Sequence, residues 1–431
     1  MEQEINYAEE LLDFIYKSPS AFQVVDNVKK ILNHNGFVQL NEDQKWHLSK
    51  QGKYYLTKND SAILAFIVGT GEIEEDGFKI IGAHTDSPTF KIKPNPEIVT
   101  DGYIKLNTEV YGSAILGTWF DRPLSLAGRV TVKSDNIFPE TKLINICRPI
   151  LTIPSLAIHL NSEVNKGINL NRQKDILPVL GLIDERLEKD NILLKLIAGE
   201  LGINMAEILD FELYLYPFDK GRIIGLNNEL ISSPRLDDLA MVHSGLNALI
   251  QSKPSKGINI LLCTDNEEVG SSTKQGAASS FLRDTLERIA FVFGKDKEDT
   301  LRSFAKSFII SADLAQAVHP NYGEKYDPTN RININEGPAI KLSAAQAYTS
   351  DAISSAVYEN ICQKAKIPVQ KFVNRSDERG GTTIGPISSI KLPINGIDVG
   401  TPLLAMHSAC ELGGVKDHSY ITKSFIEFYN I

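Results

Sequence analysis

The sequence predicts an α/β protein with a layered, mixed or parallel sheet, assembled from both ends of the chain and interrupted by a β-rich insertion. Three observations lead there. Short runs at 258–263, 308–311 and 397–399 that read as buried strands alternate with helical segments, the texture of strands covered on both faces. Between about 93 and 227 apolar and polar residues alternate instead, which suits an antiparallel sheet with one open face. Several strand-like runs also end on His, Asp or Glu, at the carboxyl ends where open α/β sheets bind ligands.

Residues 7–17 and 21–34 read as helices, with Ser20, after the break at Pro19, as N-cap of the second. Runs at 54–57 and 62–68 flank an Asn59-Asp60 turn and read as a hairpin, followed by a short strand at 78–82. Beyond Lys93-Pro94-Asn95-Pro96, the residues Ile104, Leu106, Thr108 and Val110 alternate with Lys105, Asn107 and Glu109. Runs at 124–133 and 211–216 look similar, with a helical stretch near 183–210. From about 228, helices over 238–252, 280–291 and 351–366 alternate with the three apolar runs. The expected division is one α/β domain from 1–92 and 228–431, with 93–227 inserted.

Length and composition bound the function. The 431 residues suffice for two or three domains, and 42% hydrophobic with 23% charged is the balance of a globular chain. A net charge of -9 with no basic block excludes a nucleic-acid partner, which would leave a clustered cationic footprint. No uncharged stretch approaches the roughly 18 residues that cross a bilayer, so no membrane partner is expected. The acidic, amphipathic N-terminus lacks the basic and apolar regions of a signal peptide. Four cysteines without C-x-x-C spacing fit a reducing cytoplasm and exclude a cysteine-held zinc ribbon. Any metal site must come from His, Asp and Glu.

Those residue types gather after the apolar runs. After 78–82 comes Ala83-His84-Thr85-Asp86, and after 258–263 comes Thr264-Asp265-Asn266-Glu267-Glu268. Ala312-Asp313 follows 308–311, and a turn through Gly400 and Pro402 leads from 397–399 to Met406-His407. Asp237-Asp238 precedes a helix. Singly, each has an ordinary reading: a partnered histidine, an N-cap at Asp237 or Asp238, a solvated glutamate pair. Jointly they form a ligand set suited to zinc or manganese. Two divalent cations would balance Asp237, Glu268, Asp313 and a bridging hydroxide, with neutral His84 and His407 completing the shells. Glu267 is then left over as the base that takes a proton from metal-held water, and Asp86 is placed to orient His84.

In this order, "SPSAF", "GAHTDSP", "TWFDRPLSLAGRV", "IPSLAIHL", "SSPRLDDLA", "DNEEVGSSTKQGA", "SADLAQAVHPNY", "GGTTIGP" and "GTPLLAMHS" resemble the aspartyl aminopeptidase and vacuolar aminopeptidase I family of cocatalytic zinc peptidases, nearly end to end. The resemblance implies a mixed-sheet α/β/α zinc-peptidase core interrupted by a β-rich dimerisation domain. It implies two zinc ions per subunit, with manganese or cobalt as substitutes. One would be held by His84, Glu268 and Asp237, the other by the same Asp237 with Asp313 and His407, with Glu267 as general base. A cis peptide is expected at Asp237-Asp238. His159, by pattern on a strand face opposite Leu156, Ile158 and Leu160, is implied to reach a neighbouring subunit's site, touching substrate or metal. Gly381, Thr382 and Met406 are implied substrate contacts, where a plain loop and a core methionine are the ordinary readings. Peptide substrates and a homo-oligomer, dimers assembling to a dodecamer, are implied partners.

Eukaryotic members that act on acidic N-termini have a lysine where this chain has Ala345, so that preference does not carry over directly. Lys341, Arg375 or Arg379 could stand in for it, and a neutral or broader preference is the alternative. Two rivals share the ligand set: a deacylase of N-acylated amino acids, and a silent scaffold.

Overall fold

The computed structural model describes residues 2–167, 169–183, 191–253, 255–378 and 380–431. Among the described residues the strands form three sheets. The largest is nine-stranded and mixed, in the order Val38–Gln39, Lys53–Lys58, Ala62–Ile67, Ile258–Thr264, Phe78–His84, Phe308–Ala312, Asn395–Gly400, Ala339–Leu342, Gln370–Val373. At its centre Phe78–His84 runs parallel to both Ile258–Thr264 and Phe308–Ala312, and Asn395–Gly400 continues the parallel set.

These strands are mostly apolar because both faces are covered, with Lys79, Asn259 and Asp398 as exceptions. Ile81, Ala83, Leu261, Cys263, Ile310 and Val399 share one core with residues of the helices Leu236–Gln251 and Val415–Asn430. Ile80, Ile260, Leu262 and Ile309 share another with Phe281, Leu286 and Ile289 of the helix Phe281–Val292. Each such Ile or Leu contributes about 1.5–3 kcal/mol by burial. The result is the expected α/β/α layering.

The six-stranded sheet takes its strands from the middle of the chain, in the order Glu140–Asn145, Leu124–Val132, Ile208–Pro217, Thr89–Thr100, Tyr103–Tyr111, Val179–Leu182, and has its own core around Phe90, Trp119 and Leu213. It is antiparallel throughout. Its strand Thr89–Thr100 begins before residue 93. Pro94 and Pro96 lie inside that strand, where the register slips between Ile92 and Glu97, the irregularity that lets a strand tolerate proline.

Some expectations need correction. The first helix runs Glu2–Lys17, and Ser20 sits at an N-cap position but spends its hydroxyl on the Gln23 side chain. Of the helical stretch near 183–210, Ile192–Leu201 is helix, residues 184–190 lie outside the described residues, and Ile208 begins a strand. The helices Lys297–Ala305, Ile384–Lys391 and Val415–Asn430 were not expected. Nor was a five-stranded sheet in the order Arg222–Ile224, Leu230–Ser233, Glu411–Gly414, Pro402–Leu404, Ala315–Gln316. Its strands are too short to show a period.

Where Leu236–Gln251 packs on Val415–Asn430, His243 Nδ1 lies 2.9 Å from His418 Nε2, with Ser244 and Asn247 beside them. Burial holds His243 down at about 4, and burial with His243 holds His418 well below its ordinary value. The folded chain therefore stays neutral here while an unfolded chain protonates. The stability is complete above about pH 6.5 and is lost as pH falls toward 4, by up to ~1.4 kcal/mol per pH unit for each histidine. Urea unfolding at pH 7 and pH 5 is expected to show a smaller acid loss in His418→Gln than in the parent, and equal losses would remove the pair as its source.

Candidate metal centre

The parallel strands all deliver polar residues to one edge. His84 ends its strand in register with Thr264, from which the chain turns into the short 3-10 segment Glu267–Val269. Asp313 follows directly on Phe308–Ala312. Beyond Pro402–Leu404 the chain passes Ala405 and His407 with positive φ, which aims His407 back at the sheet end. Asp237 and Asp238 lie within Leu236–Gln251 but have non-helical dihedrals, joined by the expected cis peptide. They kink the helix start, and neither is its N-cap, the position Arg235 holds.

Asp237 stands between two groups. Its Oδ1 is 3.3 Å from His84 Nε2, and its Oδ2 is 3.4 Å from His407 Nε2. Asp313 Oδ1 lies 4.0 Å from His84 Nε2, and Glu268 Oε1 lies 3.4 Å from His407 Nε2. Two ligand clusters share Asp237: His84, Asp238 and Asp313 around one side, Glu268 and His407 around the other. This favours a different sorting from the one the resemblance implied, with Asp313 beside His84 and Glu268 beside His407. Glu268 also falls in a further group with His84 and Glu267.

The surrounding side chains hold these residues in place. Asp86 accepts the backbone N–H groups of Glu267 (3.1 Å) and Glu268 (3.2 Å) and the Tyr111 hydroxyl (2.7 Å), and its Oδ1 lies 3.3 Å from His84 Nδ1. Glu411 accepts the N–H of Asp237 at 3.1 Å and of His407 at 2.8 Å. Asp238 accepts the N–H of His84 at 2.9 Å, and Lys341 Nζ donates to Asp313 Oδ2 at 3.1 Å. Sequence reasoning missed Glu411 and the supporting part of Asp238. Neither follows the carboxyl end of a strand; a glutamate four residues after the candidate ligand His407 was the one available hint.

So many buried acids strain the site electrostatically. Burial, opposed by His84 and reinforced by Asp313 and Asp237, pushes the Glu267 carboxyl up to about 7. Burial and the Asp237 charge push the Glu268 carboxyl well above the usual carboxylate range. Burial works against charge on His407, yet the adjoining Asp237 and Glu268 hold its imidazole up at about 10. Asp237 Oδ1, Asp238 Oδ1 and Glu268 Oε1 are buried without a hydrogen-bond partner. An unsatisfied buried acceptor costs about 1–3 kcal/mol, more when charged. Divalent cations would satisfy all three, and the carboxylate and imidazole donors suit zinc. The residues present fit the metal.

Beside the clusters opens a cavity lined by Asp237, Glu267, Asp313, Lys341, Tyr348 and Met406, with Gly381, Thr382 and Thr383 on its wall. Thr383 and Thr349 are both tied to the buried carboxylate of Asp398. Lys341 is thus the candidate cation on this wall. Arg375 is spent on Asp377 at an exposed position, and Arg379 lies outside the described residues. His159 is elsewhere: it is exposed in the 3-10 turn Ile158–Leu160, not on a strand, and belongs to none of the clusters. No helix among the described residues is long and apolar enough to cross a membrane.

Residues 14–429 match the family described as "Aminopeptidase I zinc metalloprotease (M18)". A Clostridium novyi protein, "Probable M18 family aminopeptidase 2", is 63% identical over 433 residues, covering 100% of both chains. Among solved structures, a chain of the Ape4 and Nbr1 complex, seen by cryo-EM, superposes with a TM-score of 0.96 at 36% identity, covering 99% of this chain and 86% of that one. A chain of the S. cerevisiae mApe1 dodecamer does so at 0.86 and 28% identity, covering 100% and 97%.

Proposed function

The chain belongs to the M18 family of aminopeptidases, zinc metallopeptidases that hydrolyse peptide bonds, and on that premise we propose that it releases the first residue of peptides with a free α-amine, using two metal ions that share Asp237. His84 and Asp313 complete one ligand set, Glu268 and His407 the other. Zinc is the resident ion, and manganese or cobalt could occupy the same oxygen-rich sets. The observation carrying this reading is Asp237 itself, with one oxygen toward each histidine. When bound, the ions supply Lewis acidity to the scissile carbonyl and acidify water.

The protein's own side chains do the rest. Glu267, facing both a ligand group and the cavity, takes a proton from water on its carboxylate and returns it to the departing amine. Asp86 fixes the Glu267 and Glu268 backbone and turns the His84 ring. Lys341 occupies one oxygen of Asp313 and gives the cavity wall a positive charge that favours an acidic first residue. Gly381, Thr382 and Met406 contact that residue. We assign residues 93–227 a dimerisation role, with His159 reaching a neighbouring subunit's cavity and a dodecamer as the final assembly. Exposed Leu156, Ile158 and Leu160 around His159 support a subunit contact there. Four unpaired cysteines support the cytoplasm as location.

The test is hydrolysis of Asp, Glu, Leu, Met, Lys and Ala substrates, each beside its N-acetylated twin. It uses metal-stripped protein with zinc, manganese or cobalt restored, its assembly state checked by light scattering. Cleavage of free amines alone is expected, with acidic residues preferred and that preference cut about 10- to 100-fold in Lys341→Met, the worth of about 1.5–3 kcal/mol in a hydrogen bond to a charged group. Cleavage of the acetylated twins would mean a deacylase, and silence with metal bound a scaffold.

A further inference from the structure

We propose that Glu411 is a positioning residue that sets the spacing between the two metal groups, by clamping the backbone of Asp237 and of His407 with its two carboxylate oxygens. The inference rests on reading Asp237 and His407 as ligands. Glu411 is only 2% exposed and belongs to none of the clusters that could hold an ion. Its Oε2 accepts the Asp237 N–H at 3.1 Å and its Oε1 the His407 N–H at 2.8 Å.

The location of Glu411 explains how it can do this. It opens the strand Glu411–Gly414, which pairs on one side with Leu230–Ser233, Ser233 opposite Glu411 itself. On the other side it pairs with Pro402–Leu404. The first neighbour leads into Asp237 and the second into His407, so one side chain sits where the two ligand-bearing segments converge. Both segments leave regular structure there: Arg235, Ala405 and His407 have positive φ. Backbone of that kind has no ladder of its own to hold it, and an external acceptor must do so.

The requirement is for two acceptors in one rigid group. A carboxylate offers both; a carboxamide offers one and turns its NH2 toward the other N–H. Asp86 makes the same double contact with the neighbouring amides of Glu267 and Glu268. Two buried carboxylates thus hold the backbone of four site residues.

The experiment compares the full chain with Glu411→Gln, which keeps the size, and Glu411→Asp, which keeps the charge but shortens the reach. Cobalt serves as the probe. In both variants the visible cobalt spectrum is expected to change and the chelator concentration that releases cobalt to fall about 10- to 100-fold, the usual effect of losing an outer partner of a ligand. The melting temperature of the metal-stripped protein should move little. A parent-like spectrum and chelator midpoint in Glu411→Gln would overturn the proposal, whatever the melting temperature does, and leave Glu411 a packing residue. If Gln does not fold, Asp is read by the same criteria; failure of both to fold while the metal-stripped parent folds also overturns it, because the role is then structural. A parent that binds no cobalt would instead defeat the ligand reading itself.

Discussion

Glu267→Gln is expected to keep both metal ions and to lose turnover by about 10³-fold. The substitution preserves size and leaves the backbone contact to Asp86 in place, because that contact uses the residue's N–H. What it removes is the capacity to hold a proton, and a positioned base contributes typically 10²- to 10⁴-fold. Burial already places this carboxyl near 7 in the metal-free chain, the range in which a group both accepts and returns protons. The two readouts are metal content by elemental analysis and single-turnover rates. Near-parent rates in the variant would remove Glu267 from the proton path. Loss of metal along with rate would make it a ligand, which its grouping with His84 and Glu268 would accommodate.

Asp237→Asn is expected to have the larger effect on binding. Asp237 is the residue common to the His84–Asp313 side and the Glu268–His407 side, so weakening it weakens both. Metal content after gel filtration should fall below one equivalent and kcat/KM by about 10³-fold or more, since the several kcal/mol that the ions give the transition state leave with them. His84→Ala, in contrast, touches one side and should retain the ion on the other. Two equivalents retained in Asp237→Asn would refute the shared position.

The strand ends of the candidate site were legible because parallel strands covered on both faces are mostly apolar, so that His84, Glu267 and Asp313 stand out against them. Which candidate ligand stands beside which was not. Chain order says nothing about side, and only the approach of Asp313 to His84 and of Glu268 to His407 sorts them. Lys341 sits in a short strand, Ala339–Leu342, and looks like any solvent-facing lysine until Asp313 is placed beside it. Glu411 had no signal beyond its place four residues after His407, because its contacts are to backbone amides, which every residue but proline has. The strand placement of His159 was wrong for another reason: apolar alternation in a 3-10 turn imitates a strand.

The order of strands in the large sheet has a consequence for synthesis. Ile81 pairs on one side with Leu261 and on the other with Ile310, so the strand that ends in His84 emerges from the ribosome long before either neighbour exists. At the usual pace of about 5–20 residues per second, both of its edges wait for on the order of tens of seconds. The intervening strands of the six-stranded sheet pair among themselves and can close during that interval. The nascent chain thus carries a largely apolar strand with two open edges, a target for chaperones and for aggregation alike, and the candidate metal centre stays incomplete until the segment bearing His407 has been made.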